Sequence, residues 1–112
     1  MPPPIDLTAL SHMLGGDTSL VKMILEKFRE EIAGDIESLA ALANGDDASA
    51  IRALAHRLKG TCSNAQAMPL SNVAKALQTA TSGGDVSQAP DLIEKLEMER
   101  QLLERYLTEQ GY

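Results

Sequence analysis

The chain has 112 residues, a length that holds one hydrophobic core and not two. Its formal net charge of -6 argues against nucleic acid as a partner, and its single cysteine, Cys62, excludes an internal disulfide and fits a reducing compartment. Aromatic residues are limited to one Phe and two Tyr, with no Trp, while Leu and Ala dominate, which favours helices over sheets. No apolar run is long enough to cross a membrane. The opening Met1-Pro2-Pro3-Pro4 lacks the basic and apolar regions of a signal peptide, so a soluble cytoplasmic protein is expected.

Residues 1–5 read as an extended lead-in stiffened by prolines. Asp6 can cap a short first helix, Leu7 to Leu14, which Gly15-Gly16 ends. Asp17 can cap a long second helix from about Thr18 to Ala43. Its stripe is Val21, Ile24, Leu25, Phe28, Ile32, Ile36, Leu39, Ala40 and Ala43. Asn44-Gly45 closes that helix and Asp46-Asp47 start the third, from about Ala48 to Ala65. The third stripe is Ile51, Leu54, Ala55, Leu58, Cys62 and Ala65. A fourth helix is expected from Pro69 to Gly83-Gly84, burying Leu70, Val73, Ala74 and Leu77. A fifth begins near Pro90, carries Leu92, Ile93, Leu96, Leu103, Tyr106 and Leu107, and stops before Gly111.

No segment alternates with a period of two, so no strand is expected. The last four helices are amphipathic and their links are short, which predicts an all-α, antiparallel up-down four-helix bundle with the short N-terminal helix across one end. Residues 1–112 read as a single domain without repeats or linkers. The methionines Met13, Met23, Met68 and Met98 read as core or edge filler. Cys62 falls on an apolar stripe and reads as a small core residue.

The chemistry points to the run Ala55-His56-Arg57-Leu58-Lys59-Gly60. When the third helix is centred on Ile51, His56 lies roughly 140° away, on the solvent side. Arg52, Lys59, Gly60 and Ser63 share that broad arc, and Arg57 adds a further positive charge nearby. Lys59 and Gly60 stand at i+3 and i+4, directly beside the imidazole. A cation is thus held next to a nucleophilic ring, and the side-chain wall that would shield the ring is missing. A basic face on an acidic domain suits an acidic or phosphorylated partner. An exposed histidine among basic residues is usually plain solvated surface, and basic residues late in a helix also complement its dipole. Gly60 weighs against that plain reading, because a glycine inside a helix costs about 1 kcal/mol and no packing need for it is evident. The other histidine, His12, lacks such neighbours and reads as surface or packing.

The sequence resembles the histidine-containing phosphotransfer family of bacterial multistep phosphorelays, whose signature is close to Ala-His-x-Leu-Lys-Gly followed by small residues. The likeness runs over nearly the whole chain: Asp6-Leu7 with Leu10, Gly15-Gly16-Asp17, Phe28, Asn44-Gly45-Asp46, and Ala55 to Asn64. It implies that His56 accepts a phosphoryl group through Nε2, that Lys59 stabilises the phosphoryl oxygens, and that Gly60 admits the partner's loops. It also implies that Gln78 hydrogen-bonds near His56; by residue pattern alone Gln78 reads equally well as a solvated helix glutamine. Arg52, Arg57 and Ser63 would line the docking surface. The partners implied are response-regulator receiver domains or a hybrid sensor histidine kinase, with the receiver supplying Mg²⁺. This chain would bind no cofactor, metal or ATP and would be a monomeric phosphoryl carrier without autokinase activity. The family usually has a glycine six residues after the motif glycine; Gln66 stands there instead, which leaves partner choice open.

Two other classes compete. One is an adaptor of the same fold whose His56 is never phosphorylated. The other is a bundle holding a metal or haem, which needs inward ligands such as paired Glu-x-x-His motifs that the sequence lacks. Between a free-standing carrier and a fragment of a larger kinase, the initiating Met favours the first.

Overall fold

The computed structural model describes residues 2–112, and its regular structure is five helices: α1 (Leu7–Met13), α2 (Thr18–Leu42), α3 (Ala48–Asn64), α4 (Met68–Thr81) and α5 (Ala89–Glu109). No strand occurs among the described residues. The first three helices start where an aspartate satisfies an orphan amide. Asp6 accepts from Ala9 N at 3.0 Å, Asp17 from Leu20 N at 3.1 Å and Asp47 from Ala50 N at 3.0 Å. α4 and α5 have no side-chain cap; each carries a proline in its first turn, where the missing N–H is no loss. Both begin one residue before the expected proline. α1 and α2 each end one residue earlier than expected, with Leu14 and Ala43 as their C-caps.

The stripe on α2 buries Val21, Leu25, Phe28, Ile32, Ile36 and Leu39. Ile24 is only half-buried and Ala40 is exposed, because the helix turns them past the edge of the contact face. On α3 the buried set is Ala48, Ile51, Ala55, Leu58 and Cys62, with Leu54 at the margin. α3 packs most extensively on α4, α4 on α5, and α2 touches both α3 and α5. Helices α2 to α5 therefore close around one core, and α1 rests against α2. Each Leu or Ile fully buried there contributes roughly 1.5–3 kcal/mol. Arg29 clamps α2 to the chain end, reaching Glu104 Oε1 at 3.2 Å and the Tyr112 carbonyl at 2.9 Å.

Three expectations are corrected. The methionines do not fill the core: Met13, Met23 and Met98 are 59%, 60% and 59% exposed, and Met68 is also exposed. Flexible thioethers are tolerated at the surface, so their hydrophobicity did not decide their placement. The lead-in is more than an extended arm: Ile5 is fully buried, and the Asp6 amide donates to the Gln66 carbonyl at 2.9 Å. Met1 lies outside the described residues. Finally, Arg57 is not a free surface cation, as described below.

Candidate functional site

His56 sits mid-way along α3, between the buried Ala55 and Leu58, and is itself exposed. The apolar stripe holds the helix down by its other face, so the ring is displayed without contributing to the core. Its one polar partner among the described residues comes from α4. The side-chain amide of Gln78 lies with its Nε2 3.1 Å from Nδ1. Oriented with its nitrogen toward the ring, the amide donates to Nδ1 and the imidazole proton sits on Nε2. Turned over, its oxygen accepts from Nδ1–H and Nε2 keeps a free lone pair. The face that Gln78 presents thus sets which ring nitrogen is nucleophilic.

Lys59 is half-buried, one turn further along the same face. At Gly60 an added Cβ would meet nothing within 4 Å. No internal packing requires a glycine there, so the space beside His56 is open to a visitor. Arg52 is exposed. Arg57, however, reaches sideways to α2, where its Nη2 lies 2.5 Å from Asp35 Oδ1. That hydrogen bond and charge hold the Arg57 guanidinium still more firmly protonated than usual. Asp35 offsets its charge, so the positive face beside His56 is smaller than the sequence suggests, resting on Arg52 and Lys59. The pair's arginine is 64% exposed, so its worth for stability is small.

Ser63 shares the helix face of His56 but turns its hydroxyl toward α4. It is half-buried, and its hydroxyl lies 2.6 Å from that of Ser71 on α4. Ser71 is 3% exposed and also donates to the Lys59 carbonyl at 3.2 Å. The reading of the sequence passed over Ser71. The available signal was its spacing of seven from Gln78, which puts both on one face of α4. Cys62 is fully buried, and burial pushes its thiol up to about 12, far from a reactive thiolate. His12 is exposed at the end of α1. Among the described residues no three His, Cys, Asp or Glu side chains gather closely enough to hold a metal, and no helix is long and apolar enough to cross a membrane.

The sequence profile described as "Hpt domain" matches residues 23–109, from the second turn of α2 to the last residue of α5. The chain belongs to the Hpt family. Its structure is similar to the crystal structure of histidine-containing phosphotransfer protein B (HptB) from Pseudomonas aeruginosa PAO1, at 29% sequence identity and a TM-score of 0.83. The match covers 100% of this chain and 99% of that one, so α1 and the lead-in, which the profile omits, share the fold as well. Among curated proteins none matches. Hpt domains are phosphoryl carriers rather than kinases, and they work with receiver domains or kinases of two-component systems. This Hpt protein accordingly serves histidine phosphotransfer in a phosphorelay.

Proposed function

We propose that His56 is the residue that carries the phosphoryl group, accepted from a phospho-aspartate on a receiver domain and passed on to another. The observation that carries this reading is the Gln78 amide on Nδ1 of an exposed ring, which leaves Nε2 for the partner. For transfer the amide turns over from the placement described above, so that its oxygen rather than its nitrogen faces Nδ1–H. The Nε2 lone pair attacks phosphorus in line, the P–O bond to the aspartate breaks with its electron pair returning to the carboxylate, and an N–P bond forms. The proton stays on Nδ1, the ring gains positive charge, and the Gln78 oxygen accepts the strengthened hydrogen bond. No base is needed in this chain, and the step reverses by the same path.

Lys59 supplies charge to the phosphoryl oxygens, and Gly60 leaves room for the receiver's loops. Arg52, with Arg57 and Ser63 at the margin, frames the docking surface. Mg²⁺ belongs to the receiver, and the Hpt chain itself acts without cofactor, ATP or autokinase activity, as a cytoplasmic monomer. Residues 1–112 form one domain whose helices α2 to α5 make an antiparallel up-down bundle. Support for that direction comes from the cross-links between α3 and α4: partners of residues 56 and 63 are residues 78 and 71, falling as the first pair rises.

Incubation with a phosphorylated receiver tests the assignment. The parent chain should gain acid-labile, base-stable phosphate, and His56→Gln should gain none while melting at nearly the same temperature. Labelled His56→Gln would overturn the assignment; binding without any phosphate uptake by the parent chain would make it an adaptor.

A further inference from the structure

The seam between α3 and α4 carries two polar cross-links. Gln78 meets His56 through Nδ1, and Ser71 meets Ser63 through their hydroxyls. Each pair is seven residues from the other on both helices, so the two links lie about 10.5 Å apart on one continuous register. Ser71 makes the firmer of the two. It is 3% exposed, donates to the Lys59 carbonyl at 3.2 Å and shares a 2.6 Å hydrogen bond with Ser63. Gln78, by contrast, is half-exposed at the rim. A glutamine has three rotatable bonds, so holding its amide on a solvent-facing ring costs side-chain entropy. Its backbone must therefore be set before its side chain can find the ring. Ala74, lying between the two links on α4, is fully buried and offers no polar contact of its own. Besides the rim contact of Gln78 itself, Ser71 supplies the directional bonds among the described residues that fix this stretch of α4 along the α3 axis, one of them on the backbone of Lys59, three residues from His56.

We propose that Ser71 is a positioning residue for phosphotransfer: by tying α4 to the Lys59 carbonyl and the Ser63 hydroxyl, it fixes the helix register that sets the Gln78 amide on Nδ1 of His56. The inference rests on the assignment of His56 and Gln78 above. Ser71 never touches the phosphoryl group. It acts through Gln78 on the tautomer of the ring, and so on the fraction of His56 that presents a lone pair at Nε2.

Ser71→Ala in the full chain isolates this role. Alanine is a better helix former and fits the space, which offsets part of the two lost hydrogen bonds, so the variant should melt a few degrees below the parent and stay fully folded at the assay temperature. Transfer from a saturating phospho-receiver should nevertheless slow by roughly fivefold, about what losing one net hydrogen bond from the competent state allows. The receiver concentration for half-maximal rate should not move. Ring ¹⁵N shifts of His56 should show the Nδ1–H tautomer losing population. In a Gln78→Ala background the same change should have no further effect on rate, because the residue through which Ser71 acts is gone. An unchanged tautomer and rate in Ser71→Ala would overturn the inference. So would a rate loss that repeats in full on Gln78→Ala. Phosphate on His56→Gln would instead overturn the underlying assignment, so the two failures are distinguishable.

Discussion

Gln66 occupies at the end of α3 the left-handed position that Gly15 occupies at the end of α1. Their φ values are +67° and +68°. Both turns close the same way: Gln66 N donates to Ser63 O and Ala67 N to Cys62 O, as Gly15 N donates to His12 O and Gly16 N to Ser11 O. Gly111, with φ +91°, repeats the turn after α5. Glycine is the ordinary residue here because a Cβ crowds the carbonyl oxygen in this conformation. The Hpt chain places a glutamine there and holds it by two further contacts, Gln66 O accepting from Asp6 N and its side-chain nitrogen donating to Met13 Sδ.

Gln66→Gly should therefore stabilise the protein. Relief of the left-handed strain is worth about 1–2 kcal/mol. The extra freedom of glycine in the unfolded chain takes back about 0.4–1 kcal/mol. The contact to the exposed Met13 sulfur is too weak to reverse the balance. Urea denaturation should show a net gain of up to about 1.5 kcal/mol. A loss of stability would mean that the Met13 contact, and not the backbone, governs this turn.

This position shows what the sequence could and could not disclose. The absent glycine was visible from the family pattern, but its cost was not, since a left-handed φ is a property of the folded turn. The helices were legible because their signals are local: three aspartate caps, two prolines and the apolar spacing. His56 was legible for the same reason, as helical periodicity alone puts it opposite Ile51. Arg57 was misjudged because its charge is offset by Asp35, twenty-two positions away and on another helix. Ser71 was missed because serine in a helix signals nothing until its partners on α3 are known.

Cys62 should resist alkylation in the native state. Its thiol lies in the α3 stripe with no exposed surface, and burial raises it from 9.0 to about 12. At pH 8.5 iodoacetamide should modify it only through unfolding, so the rate should track denaturant concentration. Because the folded value lies above the unfolded one, this thiol costs no stability below pH 9.0 and progressively destabilises the fold as pH rises from 9.0 toward about 12. Rapid labelling of the folded protein would show that α3 opens locally around the site.

Lys59→Ala should slow transfer more than it weakens docking. The ammonium stands one turn from His56 on its face, and in the proposed role it acts on the phosphoryl oxygens rather than on the partner's outer surface. Losing one charge-assisted hydrogen bond should cost about 1.5–3 kcal/mol in the transition state, about 10- to 150-fold in rate. Rapid-quench measurements at saturating phospho-receiver read that term directly. An unchanged rate with a raised half-saturation would make Lys59 a docking residue only.

Gly60 separates access from chance most sharply. A Cβ there meets nothing within 4 Å, so the first atom of a new side chain strains nothing inside the protein. On helix propensity alone Gly60→Ala should stabilise α3 by up to about 1 kcal/mol, and Gly60→Gln by somewhat less. If the glycine were incidental, both variants would keep full transfer activity. The open space beside His56 argues otherwise: under the proposed assignment the receiver brings its phospho-aspartate to within bonding distance of Nε2, and a long side chain one turn away stands in that path. Gly60→Ala should therefore gain stability with a modest loss of rate, while Gly60→Gln gains stability and loses most of its transfer. Thermal melts and transfer rates on the same two proteins decide between these outcomes. A Gly60→Gln protein that is both more stable and fully active would place the docked receiver away from this turn of α3.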